Sequence, residues 1–311
     1  MKKRKITIKK PTRRKIMQSN NKTNRKNRVN PLLLVLLTAL VIIAVAGIII
    51  FSVGYRYINM SGVRYTGFVK NGQPVSGTIK YADGVSGKLT KQEDSPVGVI
   101  VYNTDSGETV YEGEIKGILR HGEGKITYDD GGVVTGNFVD DKLTGYAECT
   151  YHDGSYYKGE VTDAKANGTG KYVYPDGSYY YGEFADGKKN GAGECHYADG
   201  SVYYGTFVDD KRSGSNEISF TLENGMVYSG KCKMVFANGD IYVGDFINDK
   251  RTGTGKYIFA NGESYEGEFV NGLMHGTGTY TFKNGREPYT GKFENGQLAA
   301  SNASDSSAVT E

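Results

Sequence analysis

Glycine returns in this chain at a fixed interval. Gly113, Gly136, Gly159, Gly182 and Gly205 are 23 residues apart, as are Gly244 and Gly267; Gly291 follows after 24, and Gly67 lies two periods before Gly113. A fixed period constrains the fold more than composition does, because every unit must be the same piece of supersecondary structure. Two residues before this glycine stand Tyr111, Val134, Tyr157, Tyr180, Tyr203, Tyr242 and Tyr265. Two residues after it come Ile115, Phe138, Val161, Phe184, Phe207, Phe246 and Phe269, and the positions between are mostly polar. That alternation predicts a half-buried strand with ring, glycine and ring or aliphatic group on one face. The glycine leaves a gap that a neighbouring ring can fill.

A second strand is predicted after a polar turn such as "ADGKKNGAG". Its apolar pairs are Ile126/Tyr128, Cys149/Tyr151, Tyr172/Tyr174, Cys195/Tyr197, Ile218/Phe220, Tyr257/Phe259 and Tyr280/Phe282. Each pair except Ile218/Phe220 leads into Asp-Gly or Asn-Gly, a strong hairpin signal because both residues tolerate positive φ, so each connection between repeats is expected as another tight turn. The phase is disturbed by two residues inserted near Thr221-Leu222 and by a half-repeat missing between Gly230 and Gly244. The expected fold is all-β: one elongated antiparallel meander of stacked hairpins. A single sheet with one apolar face must hide it by curling, dimerising or binding something. The candidate interaction-face aromatics are Tyr157, Tyr180, Phe184, Tyr203, Phe207, Tyr242, Phe246, Tyr265 and Phe269; the competing reading is that they stack on one another and hold the array together.

The stretches "YEGEIKGILRHGEGKITYDDG" (111–131) and "YEGEFVNGLMHGTGTYTFKNG" (265–285) resemble the MORN (membrane occupation and recognition nexus) repeat: Tyr-x-Gly-x-Phe, a polar turn, Gly-x-Gly, an aromatic pair and Asx-Gly. The resemblance spans residues 65–296 and is irregular over 85–110 and 214–243. It implies a twisted rod-like β-array with aromatics on its concave face, and lipid binding as a property of some members.

The N-terminus is of another kind. Residues 1–30 carry 13 Lys/Arg and no acid, leaving 25 bases against 35 acids, a net of −10, in the rest. "PLLLVLLTALVIIAVAGIIIF" follows without a charge, and its 20 residues from Leu32 to Phe51 match about 30 Å of helix, the thickness of a bilayer core. A transmembrane helix is expected over 31–53, with Leu32, Leu40, Ile50 and Phe51 in the membrane. A signal peptide cleaved near Ala44-Val45-Ala46 is the rival reading; the length of the run and its continuation through Phe51 favour an uncleaved anchor. The basic flank places the N-terminus in the cytoplasm and the repeats outside it. Orientation and contact with anionic lipid account for the basic residues without nucleic acid. Residues 54–64 are expected as a linker, and 1–30 and 297–311 as disordered tails.

No catalytic constellation stands out. His121 and His275 share one repeat position. Cys149 with His152 and Cys195 with His196 are two repeats apart, roughly 19 Å along four strands, too far for one zinc ion or a disulfide. Cys149 and Cys195 are expected as buried thiols and Cys232 as more exposed. The Asx-Gly ladder reads as turn chemistry rather than a calcium rail, and the acids Glu112/Glu114 and Glu266/Glu268 as solubilising charge. Neither an enzyme nor a cofactor is expected. The expected role is a membrane-anchored scaffold for a protein partner or a second copy, with binding of an envelope glycan or of phospholipid as the alternative.

Overall fold

The structure, a computed structural model, describes residues 31–105 and 107–299. The segments expected to be disordered, 1–30 and most of 297–311, lie outside the described residues. Two units are distinct by their internal contacts, 1–53 and 54–311. In the first, Pro31–Ser52 is a helix long and apolar enough to cross a membrane. Leu32, Leu40, Ile50 and Phe51 are all exposed on it.

The second unit is the expected antiparallel meander, a sheet of 22 strands among the described residues that does not close on itself. Outside the stretch from Val202 to Val235, each strand pairs with its neighbours in the chain, and the repeat glycines face each other across the pairs: Gly113↔Gly124, Gly159↔Gly170, Gly182↔Gly193 and Gly267↔Gly278. Three boundaries shift. The expected linker is strand: Tyr55–Met60 pairs with Val63–Lys70. The stretch 85–110 breaks the sequence pattern without breaking the sheet, since Ser86–Lys91, Val97–Asn103 and Glu108–Lys116 pair in order. At the far end Gln297–Leu298 still pairs with Tyr289–Glu294.

The two kinds of turn differ in backbone. Both residues take positive φ in the turn inside most repeats: Asp140 and Asp141 (48° and 73°), Asp163 and Ala164 (48° and 61°), Asp209 and Asp210 (47° and 69°); in the turn Gly117-Ile118 only the glycine does (65°). Mirror-image two-residue turns of this kind match the strand twist. The Asx-Gly connections between repeats are instead three-residue loops with positive φ at the glycine alone. In the loop at Asp153, the Gly154 N–H donates to the Tyr151 carbonyl (3.0 Å), Tyr151 N–H to the Ser155 carbonyl (2.9 Å), and Ser155 N–H to Asp153 Oδ1 (2.9 Å). The Asx side chain therefore acts as an acceptor for the loop.

The disturbed phase has one cause. Gly205 to Gly244 is 39 residues, one period of 23 with 16 more. Val202–Val208 has a composite neighbour: Lys211–Arg212 pairs with its end and Lys233–Val235 with its beginning. Between these pieces the chain leaves the sheet and forms its own hairpin, Ile218–Thr221 with Val227–Gly230. No half-repeat is missing; one strand is interrupted. The hairpin packs on residues that alternate with the ring face: Tyr228 stacks on Tyr204 at 5.2 Å, Glu223 N–H donates to Glu194 Oε1 (2.6 Å), and Lys171 pairs with Glu223 (2.9 Å).

Candidate interaction face

In each regular repeat the strand bulges just after its marker glycine, as between Gly182 and Phe184. A bulge takes one residue out of the ladder and leaves its carbonyl to be satisfied elsewhere. The tyrosine two residues before the glycine does this. Tyr180 Oη donates to the Glu183 carbonyl (2.9 Å), Tyr111 to Glu114 (2.7 Å), Tyr157 to Glu160 (2.6 Å), Tyr242 to Asp245 (3.0 Å) and Tyr265 to Glu268 (3.0 Å). To reach it, the ring lies over the glycine pair. A Cβ on Gly182 would stand 2.5 Å from Tyr180 Oη, and one on Gly193 2.6 Å from the ring. Tyr-x-Gly is thus a ring, the space for it and the hydrogen bond that fixes it.

The acid after the glycine has a structural role that its reading as solubilising charge missed. Glu268 Oε1 accepts the Thr277 N–H (2.9 Å), Glu160 Oε1 that of Thr169 (3.2 Å) and Asp245 Oδ2 that of Thr254 (3.2 Å). The carboxylate folds over a glycine at positive φ, Gly276, Gly168 and Gly253 in these repeats, where any side chain would collide with it.

The nine rings expected to face a partner are all buried by the chain itself, none more than 7% exposed. They meet edge to face from repeat to repeat: Tyr157–Phe184 at 5.5 Å, Tyr180–Phe207 at 5.0 Å, Tyr203–Phe246 at 5.2 Å and Tyr242–Phe269 at 5.0 Å. That geometry suits the ring quadrupole. These residues are core, which corrects the expectation that they present an interaction face.

Over this core, seven residues past the marker glycine, lies a cation in four repeats. Arg120 sits 5.4 Å from the Phe138 ring, Lys189 5.5 Å from Phe207, Arg212 5.6 Å from Phe246 and Arg251 4.9 Å from Tyr257. Each is within cation–π range. Acids of the next turn hold two of them: Asp141 Oδ1 accepts from Arg120 Nε and Asp249 Oδ1 from Arg212 Nε, both at 3.0 Å. Leu143, Ala166 and Met274 take this position elsewhere.

A second ring series stands beside the Asx-Gly loops, one per repeat: Tyr128, Tyr151, Tyr174, Tyr197, Phe236, Phe259 and Phe282. None is buried, and Tyr128 and Tyr151 are 41% and 43% exposed. Tyr151 approaches Tyr172 at 6.1 Å, and Phe259 approaches Tyr280 at 5.8 Å. Sequence reasoning named six of these only as strand residues and missed Phe236, giving its place to Phe220, which belongs to the inserted hairpin; the cue for the exposure of the series is that each ring adjoins a loop.

Burial pushes the phenols of Tyr157, Tyr180, Tyr203 and Tyr242 far above the ordinary value. Tyr151, at the margin, is pushed up to about 12, also chiefly by burial. Cys149 and Cys195 are buried free thiols raised by the same cause. Cys232, expected to be more exposed, is 1% exposed, seated between Gly214 and the Tyr203 ring. Among the described residues no three His, Cys, Asp or Glu side chains are placed to hold one metal ion.

The family model of the MORN repeat matches residues 111–133, 135–156, 157–179, 180–202, 203–215, 227–241, 242–264 and 265–285. The break between 215 and 227 falls on the inserted hairpin. No curated protein matches the chain. Solved structures matched include a streptogramin B lyase, 11% identical over 78% of this chain and 85% of that one, with a TM-score of 0.19. At that score no feature of the lyase bears on this protein.

Proposed function

Because the chain belongs to the MORN-repeat family, we propose that it is a non-enzymatic scaffold, anchored in a membrane by Pro31–Ser52, that holds a protein partner along its half-exposed ring series. The observation that carries this reading is the line of rings beside the Asx-Gly loops, one per repeat and none buried. Rings supply contact area at low entropic cost, and repetition extends the contact without preorganised chemistry. The buried rings Tyr157, Tyr180 and Tyr203 hold the array together beneath it.

Thirteen cations before the helix and none of the acids favour a cytoplasmic N-terminus with the repeats on the opposite side. The net of −10 beyond residue 30 opposes attraction to an anionic leaflet, and the series contains no tryptophan, the residue on which aromatic wall-binding repeats depend.

The test uses the full chain in detergent, incubated with extracts of its native membranes, beside the triple variant Tyr128→Ser/Tyr151→Ser/Tyr174→Ser. A stoichiometric protein, or a second copy of the chain, held by the former and lost from the latter is the expected outcome. Retention of only lipid or glycan overturns the reading. Protease protection in sealed vesicles tests the orientation: cleavage of the repeats from the cytoplasmic side would reverse it.

A further inference from the structure

Arg251 lies among four rings. Its guanidinium is 5.7 Å from Phe236, 5.6 Å from Tyr242, 4.9 Å from Tyr257 and 5.8 Å from Phe269, and Nη2 donates to the Gly272 carbonyl at 2.6 Å. Ala166 stands seven residues after Gly159, as Arg251 stands after Gly244. Around Ala166 the same offsets hold rings again: Tyr151 for Phe236, Tyr157 for Tyr242, Tyr172 for Tyr257 and Phe184 for Phe269. Gly187 matches Gly272, since its N–H donates to the Ala166 carbonyl (2.8 Å) as that of Gly272 does to Arg251 (2.9 Å). Here the four rings, Ala166 and Gly187 line a cavity of about 210 Å³. Cys149, Val161 and Ala164 widen it, at positions that hold Met234, Phe246 and Asp249 around Arg251. Lys165 on its wall is paired outward with Asp186.

Resting on the scaffold reading above, we propose that this cavity receives an arginine side chain of the bound protein, its guanidinium against Tyr172 and Phe184 and hydrogen-bonded to the Gly187 carbonyl. The repeat built on Gly244 supplies from its own chain the group that the repeat built on Gly159 takes from a partner. At the matching position Met274 has Phe259, Tyr265 and Tyr280 at the same offsets, with Phe293 one residue beyond the fourth and level with Phe184 in the sheet, so an apolar side chain is the competing occupant. Two observations favour the cation. The region beyond residue 30 carries a net of −10. The adjoining cavity, which shares Cys149, Tyr151 and Ala164, is lined by Asp141, whose Oδ1 already accepts from Arg120 Nε while its Oδ2 is buried without a hydrogen-bond partner.

The probe is N-acetyl-arginine amide, titrated into the full chain in detergent with labelled tyrosine and phenylalanine rings followed by NMR. Saturable shifts at Tyr172 and Phe184 are expected, with half-saturation at least about fivefold lower than for the lysine, citrulline and methionine analogues, a gap of about 1 kcal/mol. The shifts should vanish in Ala166→Arg, whose own side chain takes the cavity, and weaken in the milder Tyr172→Leu. Equal binding of citrulline or methionine, or shifts unchanged in both variants, overturns the assignment. The scaffold reading fails separately. A partner captured equally by wild type and Ala166→Arg leaves the scaffold standing and removes the arginine contact. Arginine binding at the cavity by a chain that captures no protein does the reverse.

Discussion

Two stretches of one sheet bury their inner face by different means. From Tyr156 to Val208 the face is filled by Tyr157, Tyr180 and Tyr203 with phenylalanines between them. From Ser86 to Asn103 it is filled by Leu89 and Ile100, which face each other across the pair and are 1% and 0% exposed. Glycine is common to both: a Cβ on Gly87 would stand 2.8 Å from Tyr102, and one on Gly98 2.6 Å from Ile115. The meander therefore needs a gap and a large group to fill it, and a branched aliphatic serves. What tyrosine adds is the hydroxyl that satisfies the bulge carbonyl. The family match begins at residue 111 and the sheet at Tyr55; the sheet therefore extends beyond the matched repeats, over a stretch in which only Tyr65 repeats the ring, glycine and hydrogen bond of the regular units.

Alkali should separate the two stretches most. Burial holds the phenols of Tyr157, Tyr180 and Tyr203 above their ordinary value, about 10 in an unfolded chain. Their stabilising effect is whole below pH about 10 and is lost as pH rises through the raised values, because the unfolded chain gives up those protons first. Above that pH, limited proteolysis should cut within Tyr156–Val208, where several buried phenols are raised, before Ser86–Asn103, whose one tyrosine, Tyr102, is also raised by burial; simultaneous cutting would erase the contrast. Next in size, Tyr180→Ala should cost about 3–5 kcal/mol in denaturant unfolding, as large-to-small core changes of aromatics do.

Removing only the hydroxyl sharpens the comparison. Tyr180→Phe leaves the Glu183 carbonyl without its donor and should cost about 1–3 kcal/mol, against about 0.5–1.5 kcal/mol for Ile100→Val. A Tyr180→Phe chain as stable as wild type would mean that water serves the carbonyl equally well. The smallest effect is expected from Glu268→Gln, about 0.5 kcal/mol, since the amide oxygen still accepts from Thr277 but without charge. A larger loss, read from the denaturation midpoint, would show that the bulge depends on the acid more than on the ring.

Much of the fold was legible in the sequence. The 23-residue period, the alternation about each glycine and the turn signals specify hairpins in order. Turn type was not, because Asx-Gly suits both a two-residue mirror turn and a three-residue loop. The interrupted strand was hidden because the inserted Ile218–Thr221 and Val227–Gly230 alternate like any other hairpin. Burial of the nine rings was illegible for another reason. Alternation shows which residues share a face, whereas its covering depends on how neighbouring repeats set Phe207 on Tyr180 and Lys189 on both. One cue was available: Arg120 with Asp141, Lys189 with Asp210 and Leu143 with Ala164 change together at a spacing of 21, as partners in space do.

Nearest-neighbour pairing also sets an order of assembly. With one exception each strand pairs only with those adjacent in the chain, so contacts are local and folding should be rapid, each hairpin closing on the last as synthesis proceeds. The exception is Val202–Tyr204, whose partners Lys233–Val235 arrive only after the inserted hairpin has been made. Growth of the sheet pauses there, with one half waiting on a detour in the chain before the other can add to it.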